Sequence, residues 1–282
     1  MSKRRRVILL VTILLMLGYC TASLSRIALS LFYHPDKENF ASMPASAELV
    51  QFRAKDGTQL TGWFIPAENT SPKEAAGTVI HAHGNGGNVT HYWPFVSWLP
   101  ARNFNVFMFD YRGYGASEGD PSPEGLCDDT QSAIEYVRKR QDIDPQRLLL
   151  LGQSLGGNNI VAAVGRGDRS GINAIALDST FFSYSAIASD KVPGAGILLD
   201  DTYSASRYIA GLSPIPLLFF HGKNDAMIPW QHSERLFAEA KAPRQKIMID
   251  GGRHIDALLP VHNDRYRNAL VDFYLHALEQ KK

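Results

Sequence analysis

Residues 152–156 read Gly-Gln-Ser-Leu-Gly and place Ser154 between two glycines. An apolar run precedes them at residues 147–151, and a stretch compatible with a helix follows through Val164. A serine on a tight turn from strand to helix projects its hydroxyl outward, and the flanking glycines leave room for neighbouring backbone. This context favours Ser154 as a catalytic nucleophile over a serine that only caps a helix.

A serine hydroxyl is a weak nucleophile until a base removes its proton, so the hypothesis requires a downstream histidine with a carboxylate between the two. His254 follows the last apolar run, on a loop at the edge of the sheet where ligand sites gather. His232 and His262 do not directly follow a predicted strand. We therefore predict His254 as the base.

Several acids compete for the role of orienting the histidine. Asp225 leaves the predicted strand just before the one that leads to the histidine, so the two loops should be neighbours. Asp178 ends the preceding strand and is the main alternative, while Asp200 and Asp201 lie in a connection. Asp110 precedes the serine, which breaks the expected order, and is interpreted as a loop-fixing residue. The prediction is Asp225.

The negative charge that develops on a substrate oxygen needs preorganised donors. Residues 83–88 read His-Gly-Asn-Gly-Gly-Asn after a predicted strand, so we predict that the backbone N–H groups of Asn85 and Leu155 form the oxyanion hole. An ordinary glycine-rich turn is the alternative. The spacing of His81 and His83 also resembles a pair of metal ligands, but no acid or cysteine cluster lies nearby, and no metal is predicted.

Short apolar runs suited to buried strands must position these residues. They lie at residues 78–82, 106–109, 148–151, 172–177, 217–220 and 246–249. Before them, residues 48–53 and 59–65 flank Asp56 and Gly57, which predicts an antiparallel hairpin. Helical patterns at residues 123–140 and 264–278 alternate with the runs. The order predicts an α/β fold with a mostly parallel sheet, antiparallel N-terminal strands and helices on both faces.

The first thirty residues differ from the rest of the chain. Four basic residues at positions 3–6 precede nineteen residues without a charge, 7–25. This pattern predicts a membrane anchor with the catalytic domain outside the cytoplasm, in the periplasm of a Gram-negative source. A cleaved signal peptide, which would release the domain, is the alternative. We expect an anchor or signal at residues 1–30, a linker at 31–47 and a catalytic domain at 48–282.

Composition narrows the function classes. The chain of 282 residues carries 29 Lys and Arg against 28 Asp and Glu, and this balance argues against a nucleic-acid partner. Its two cysteines, Cys20 and Cys127, encode no disulfide framework.

Six short motifs between residues 83 and 254 together resemble a known family. They are HGNGGN, FDYRGYGAS, GQSLGG, LDSTF, HGKND and GGRH. In order and spacing they are similar to the membrane-anchored α/β-hydrolase-domain serine hydrolases, and more narrowly to the YfhR-type hydrolases of enterobacteria. The resemblance implies the α/β-hydrolase fold, a triad of Ser154, Asp225 and His254, and no metal or organic cofactor. In this fold the connection at residues 181–216 tends to form a short lid over the site.

We therefore expect hydrolysis of a carboxylic ester or thioester through an acyl-enzyme on Ser154. The aromatic and aliphatic side chains at residues 181–216 favour a small-molecule or lipid-like acyl substrate, and the alternative is that they are ordinary packing residues. A serine peptidase with the same triad is the enzymatic alternative. A membrane-tethered binding protein without turnover is the alternative from another class.

Overall fold

The computed structural model describes residues 4–5, 10–13, 15–16, 19 and 32–280. The predicted leader, residues 1–30, and its Cys20 lie largely outside this part of the chain. Among the described residues, no helix combines the length and the hydropathy that a membrane crossing requires.

Strands and helices alternate through the described part of the chain. The strands are β1 (His34–Pro35), β2 (Glu48–Arg53), β3 (Gln59–Ile65), β4 (Gly77–Ala82), β5 (Gly86–Gly87), β6 (Phe104–Asp110), β7 (Leu148–Gln153), β8 (Ile172–Asp178), β9 (Leu217–Gly222) and β10 (Arg244–Ile249). The α-helices are α1 (Val89–Val96), α2 (Pro123–Lys139), α3 (Leu155–Arg166), α4 (Tyr184–Lys191), α5 (Gln231–Glu239) and α6 (Arg265–Glu279). Short 3-10 turns lie at Pro100–Arg102, Ala195–Leu198, Ala205–Arg207, Ile209–Gly211 and Pro260–His262.

Eight strands form the central sheet in the order β10-β9-β8-β7-β4-β6-β3-β2. Each strand from β10 to β6 in this order is parallel to the next, whereas β3 is antiparallel to both of its neighbours, β6 and β2. Strands β4, β6, β7, β8 and β9 are buried along their whole length, as their continuous apolar runs require. The predicted fold class is confirmed.

The core lies on both faces of this sheet. Along β7, Leu148 and Leu150 pack into one apolar cluster with residues of α2 and α3, while Leu149 and Leu151 pack into another with residues of α1 and α6. Side chains alternate because successive residues of a strand point to opposite faces. With both faces covered, the carboxyl edge of the parallel strands is the place left for a site.

Residues 31–47 were predicted to be a linker, but residues 32–35 of this segment are part of the folded domain. Tyr33 is only 4% exposed, and β1 pairs in parallel with β5 at His34↔Gly86. The aromatic side chains of Phe32 and Tyr33 pack on the domain and hold the segment there.

Candidate active site

Ser154 lies on a strained turn between β7 and α3. Its backbone angles are φ 54° and ψ −116°, in a region that costs about 1–3 kcal/mol for a residue with a side chain. Its N–H donates to the carbonyl oxygen of Asp178 at 2.8 Å. A Cβ on Gly156 would lie 1.9 Å from the carbonyl oxygen of Ala82, so only glycine allows this close approach. The turn has the position and the strained backbone that a nucleophile elbow requires, and the role of Ser154 as the nucleophile stays a prediction.

His254 and Asp225 form a hydrogen-bonded pair next to this turn. The Nδ1–H of His254 donates to Oδ2 of Asp225 at 2.7 Å, and the other carboxylate oxygen accepts the N–H groups of Met227 and Ile228 at 2.8 and 2.9 Å. The carboxylate is fully buried, whereas the imidazole is 19% exposed. A proton fixed on Nδ1 leaves the lone pair on Nε2 of His254 free to accept another.

His221 also contacts the Asp225 carboxylate, which the sequence analysis did not predict. Its Nε2 lies 3.2 Å from Oδ2 of Asp225 and 2.9 Å from the carbonyl oxygen of Ile228, so this nitrogen carries the proton. Burial raises the pKa of Asp225, but the hydrogen bonds from His221 and His254 outweigh it and hold the pKa well below its usual range. The HGKND motif, with a histidine four residues before the acid, was the available signal.

The loops that carry the acid and the histidine are tied together. The N–H groups of Lys223 and Asn224 donate to the carbonyl oxygens of Ile249 and Gly252, each at 2.9 Å. A Cβ on Gly222 would lie 2.3 Å from the carbonyl carbon of the same Gly252. The two loops are neighbours because β9 and β10 pair in parallel and end at the same edge.

A cavity of about 460 Å³ at this edge contains Ser154, His254, Asn85 and Leu155. Within the described residues, no direct hydrogen bond joins the Ser154 hydroxyl to His254, although both line the same cavity. Most of the wall is apolar, and it is formed by Phe32, Phe181, Ile187, Ala188, Val192, Ala195, Leu199, Met227 and Ile228.

The predicted oxyanion residues, Asn85 and Leu155, lie on different segments of the chain. Leu155 is the first residue of α3, and its N–H has no acceptor within the helix. Asn85 follows Gly84, where a Cβ would lie 2.3 Å from the hydroxyl oxygen of Tyr92. Both residues face the cavity that holds Ser154.

The competing residues have other partners. Asp178 accepts from Nε2 of Gln153 at 3.1 Å, and Nε2 of His81 lies 3.0 Å from Oε1 of the same Gln153. His232 is paired with Asp190 at 2.6 Å. Burial lowers the pKa of His81 to about 3, so its ring is neutral. In the part of the chain described, no group of three or more His, Cys, Asp or Glu converges as a metal site would require.

The raised pKa of Asp178 leads to a prediction about how the stability of the protein depends on pH. Burial raises its pKa from 3.8 to about 6. Between about pH 4 and 6 the unfolded chain releases a proton that the folded chain retains, so stability falls as the pH rises through this window. D178N should flatten this fall, which urea unfolding at pH 4.5 and 6.5 would measure. Parallel pH dependences of the two proteins would contradict the prediction.

A mostly parallel sheet, a strained serine at a strand-to-helix turn and an acid–histidine pair on later loops define an α/β hydrolase. The family model described as "Serine aminopeptidase, S33" matches residues 73–203. The protein YfhR of Escherichia coli K12 is 56% identical over 274 residues, which are 97% of this chain and 96% of the relative. The α/β-hydrolase domain-containing protein WAV2 of Arabidopsis thaliana is 30% identical over 253 residues, which are 83% of this chain and 81% of the relative.

The chain belongs to the YfhR family of α/β hydrolases. Among solved structures, an esterase from Pyrococcus furiosus superposes with a TM-score of 0.70 at 18% identity. The superposition covers 87% of this chain and 99% of the esterase. At this identity the likeness shows the shared fold.

Proposed function

We propose that this protein hydrolyses carboxylic esters or thioesters through an acyl-enzyme on Ser154. One observation carries the proposal. The serine of a strained elbow faces the same cavity as His254, whose Nδ1 is held by the buried carboxylate of Asp225. This arrangement supplies a nucleophile, a base and an orienting acid in the chain order of the fold.

In the first half of the reaction, Nε2 of His254 takes the hydroxyl proton while Oγ of Ser154 attacks the substrate carbonyl carbon. The buried Asp225 stabilises the imidazolium that forms. The N–H groups of Asn85 and Leu155 donate to the oxyanion of the tetrahedral intermediate. The bond from the carbonyl carbon to the leaving oxygen or sulfur then breaks, and the imidazolium gives its proton to the departing alcohol or thiol.

In the second half, water replaces the leaving group. His254 takes a proton from the water as its oxygen attacks the acyl carbon, and the bond from that carbon to Oγ of Ser154 breaks. The proton passes back to the serine oxygen, and a carboxylic acid leaves. The acid–histidine pair acts as base and then as acid in each half of the cycle.

The cavity wall favours the acyl group as the recognised part of the substrate. Most of its apolar side chains come from residues 181–199, which are part of the segment 181–216 expected to form the lid. Ile197 of the same segment is 90% exposed and is not among the residues that line the cavity. The ammonium group of Lys191 at the wall would repel the protonated amine of an aminopeptidase substrate. These features support an ester or thioester with an apolar acyl chain.

A series of p-nitrophenyl esters from acetate to decanoate tests this assignment. We expect kcat/KM to rise by up to about fourfold per added methylene until the chain fills the cavity, because each buried methylene contributes about 0.8 kcal/mol. Aminoacyl p-nitroanilides serve as the comparison. Faster turnover of these amides than of every ester would assign a peptidase instead.

A further inference from the structure

Residues 32–36, which we name the strap, form part of the wall of the active site. Phe32 and His34 line the cavity that contains Ser154 and His254. The segment was expected to be a linker, but its first residues are part of the site.

The strap holds the side chain of Asn85 at both ends. Nδ2 of Asn85 donates to the carbonyl oxygen of Phe32, and Oδ1 accepts the N–H of His34 at 3.3 Å. The hydroxyl of Tyr114 donates to the same Oδ1 at 3.0 Å. Strand β1 of the strap also pairs with β5, directly after Asn85. Two of the three bonds to this amide side chain therefore come from strap backbone.

The strap is itself fixed to the rest of the domain. The hydroxyl of Tyr33, which is buried, donates to the hydroxyl of Tyr184 in the lid at 3.1 Å. The carbonyl oxygen of Asp36 accepts the N–H of Gly115 at 2.9 Å and Nδ2 of Asn88 at 3.1 Å. These contacts make the strap a rigid support for the segment at residues 84–88.

We propose that the strap positions the backbone N–H of Asn85 in the oxyanion hole, acting through the Asn85 side chain. Three of the five residues at positions 84–88 are glycines, whose backbone is free to adopt many conformations without an external hold. Oxyanion donors accelerate a reaction only when they are held in place before charge develops. The strap is therefore a positioning element, and this inference rests on the proposed esterase function.

Two changes test the proposal in the full-length chain. N85A removes all three side-chain bonds but keeps a backbone N–H at position 85. H34P removes the strap N–H, and H34A is its matched control because it removes the imidazole and keeps the N–H. We expect N85A to lower kcat for p-nitrophenyl butyrate by about 10- to 100-fold, with KM within about threefold of wild type. H34P should have a kcat at least about tenfold below that of H34A.

Hydrogen–deuterium exchange of the peptide that covers residues 84–88 gives a readout independent of turnover. We expect N85A and H34P to exchange this segment faster than wild type and H34A, with residues 148–153 of the core unchanged. Unchanged exchange at residues 84–88 would overturn the proposal, as would faster exchange with an unaltered kcat. A wild-type protein without ester turnover would instead refute the proposed function, while the exchange data would still decide whether the strap holds the loop.

Discussion

Replacing Ser154 with alanine should abolish labelling by a fluorophosphonate probe and lower kcat for ester hydrolysis by about 10⁴-fold or more. The reason is that Oγ of Ser154 forms the covalent bond in both reactions. Its strained backbone at the elbow aims the side chain into the cavity with His254. Substrate binding to the apolar wall should persist, so the loss should appear in kcat. Labelling of intact protein followed by mass measurement would check the first effect.

S170A is the matched control for this experiment. Ser170 is exposed and precedes β8, at the edge of the sheet opposite to the elbow. The S170A protein should be labelled by the probe and should hydrolyse the ester as the wild type does. If the Ser154 variant were labelled as fully as this control, Ser154 would not be the nucleophile. If neither protein reacted with the probe or with any ester, a binding protein without turnover would become the better interpretation.

Replacing Asp225 with asparagine should lower kcat by about 10⁴-fold, the magnitude known for the corresponding change in serine proteases. An amide NH₂ facing Nδ1 of His254 would move the ring proton to Nε2. The nitrogen that should accept the serine proton would then be a donor. The Asp225 carboxylate also accepts two backbone N–H groups, so circular dichroism and urea unfolding must show that the variant remains folded.

D178N provides the comparison, because Asp178 was the alternative acid. Its carboxylate accepts from Gln153, and an asparagine oxygen can accept the same bond. We expect D178N to lose less than about tenfold in kcat. A larger loss in D178N than in D225N would assign the orienting role to Asp178 and contradict the proposed triad.

Features set by neighbouring residues were predictable from the sequence. The hairpin at Asp56 and Gly57 has β2 and β3 at the predicted bounds, because the short turn closed by the hydrogen bond from the N–H of Ala54 to the carbonyl oxygen of Thr58 fixes the pairing of its flanking strands. Helix α2 begins at Pro123 after Ser122, whose Oγ accepts the N–H of Gly125 at 3.0 Å. Both features depend on local backbone preferences, which can be inferred directly from the residue types.

Features set by contacts between distant segments were not predictable. The strap contains Pro35 and mixed polar residues, which are typical of a connection. Its proposed role depends on the side chain of Asn85, 51 residues beyond His34. The residue pattern within one segment carries no information about contacts between residues so far apart in the sequence.

The two ends of the described domain have different uses for an experimenter. Phe32 lies in the active-site wall, whereas Gln280 lies beside Pro216 and Pro243, which precede β9 and β10 at the opposite edge of the sheet. A surface or fusion partner attached directly before Phe32 would therefore bring the catalytic opening towards the attachment point. Attachment after residue 280 would turn that opening outward, towards substrate in solution. The orientation of an immobilised enzyme that consists of residues 32–280 can thus be chosen by the end that is attached.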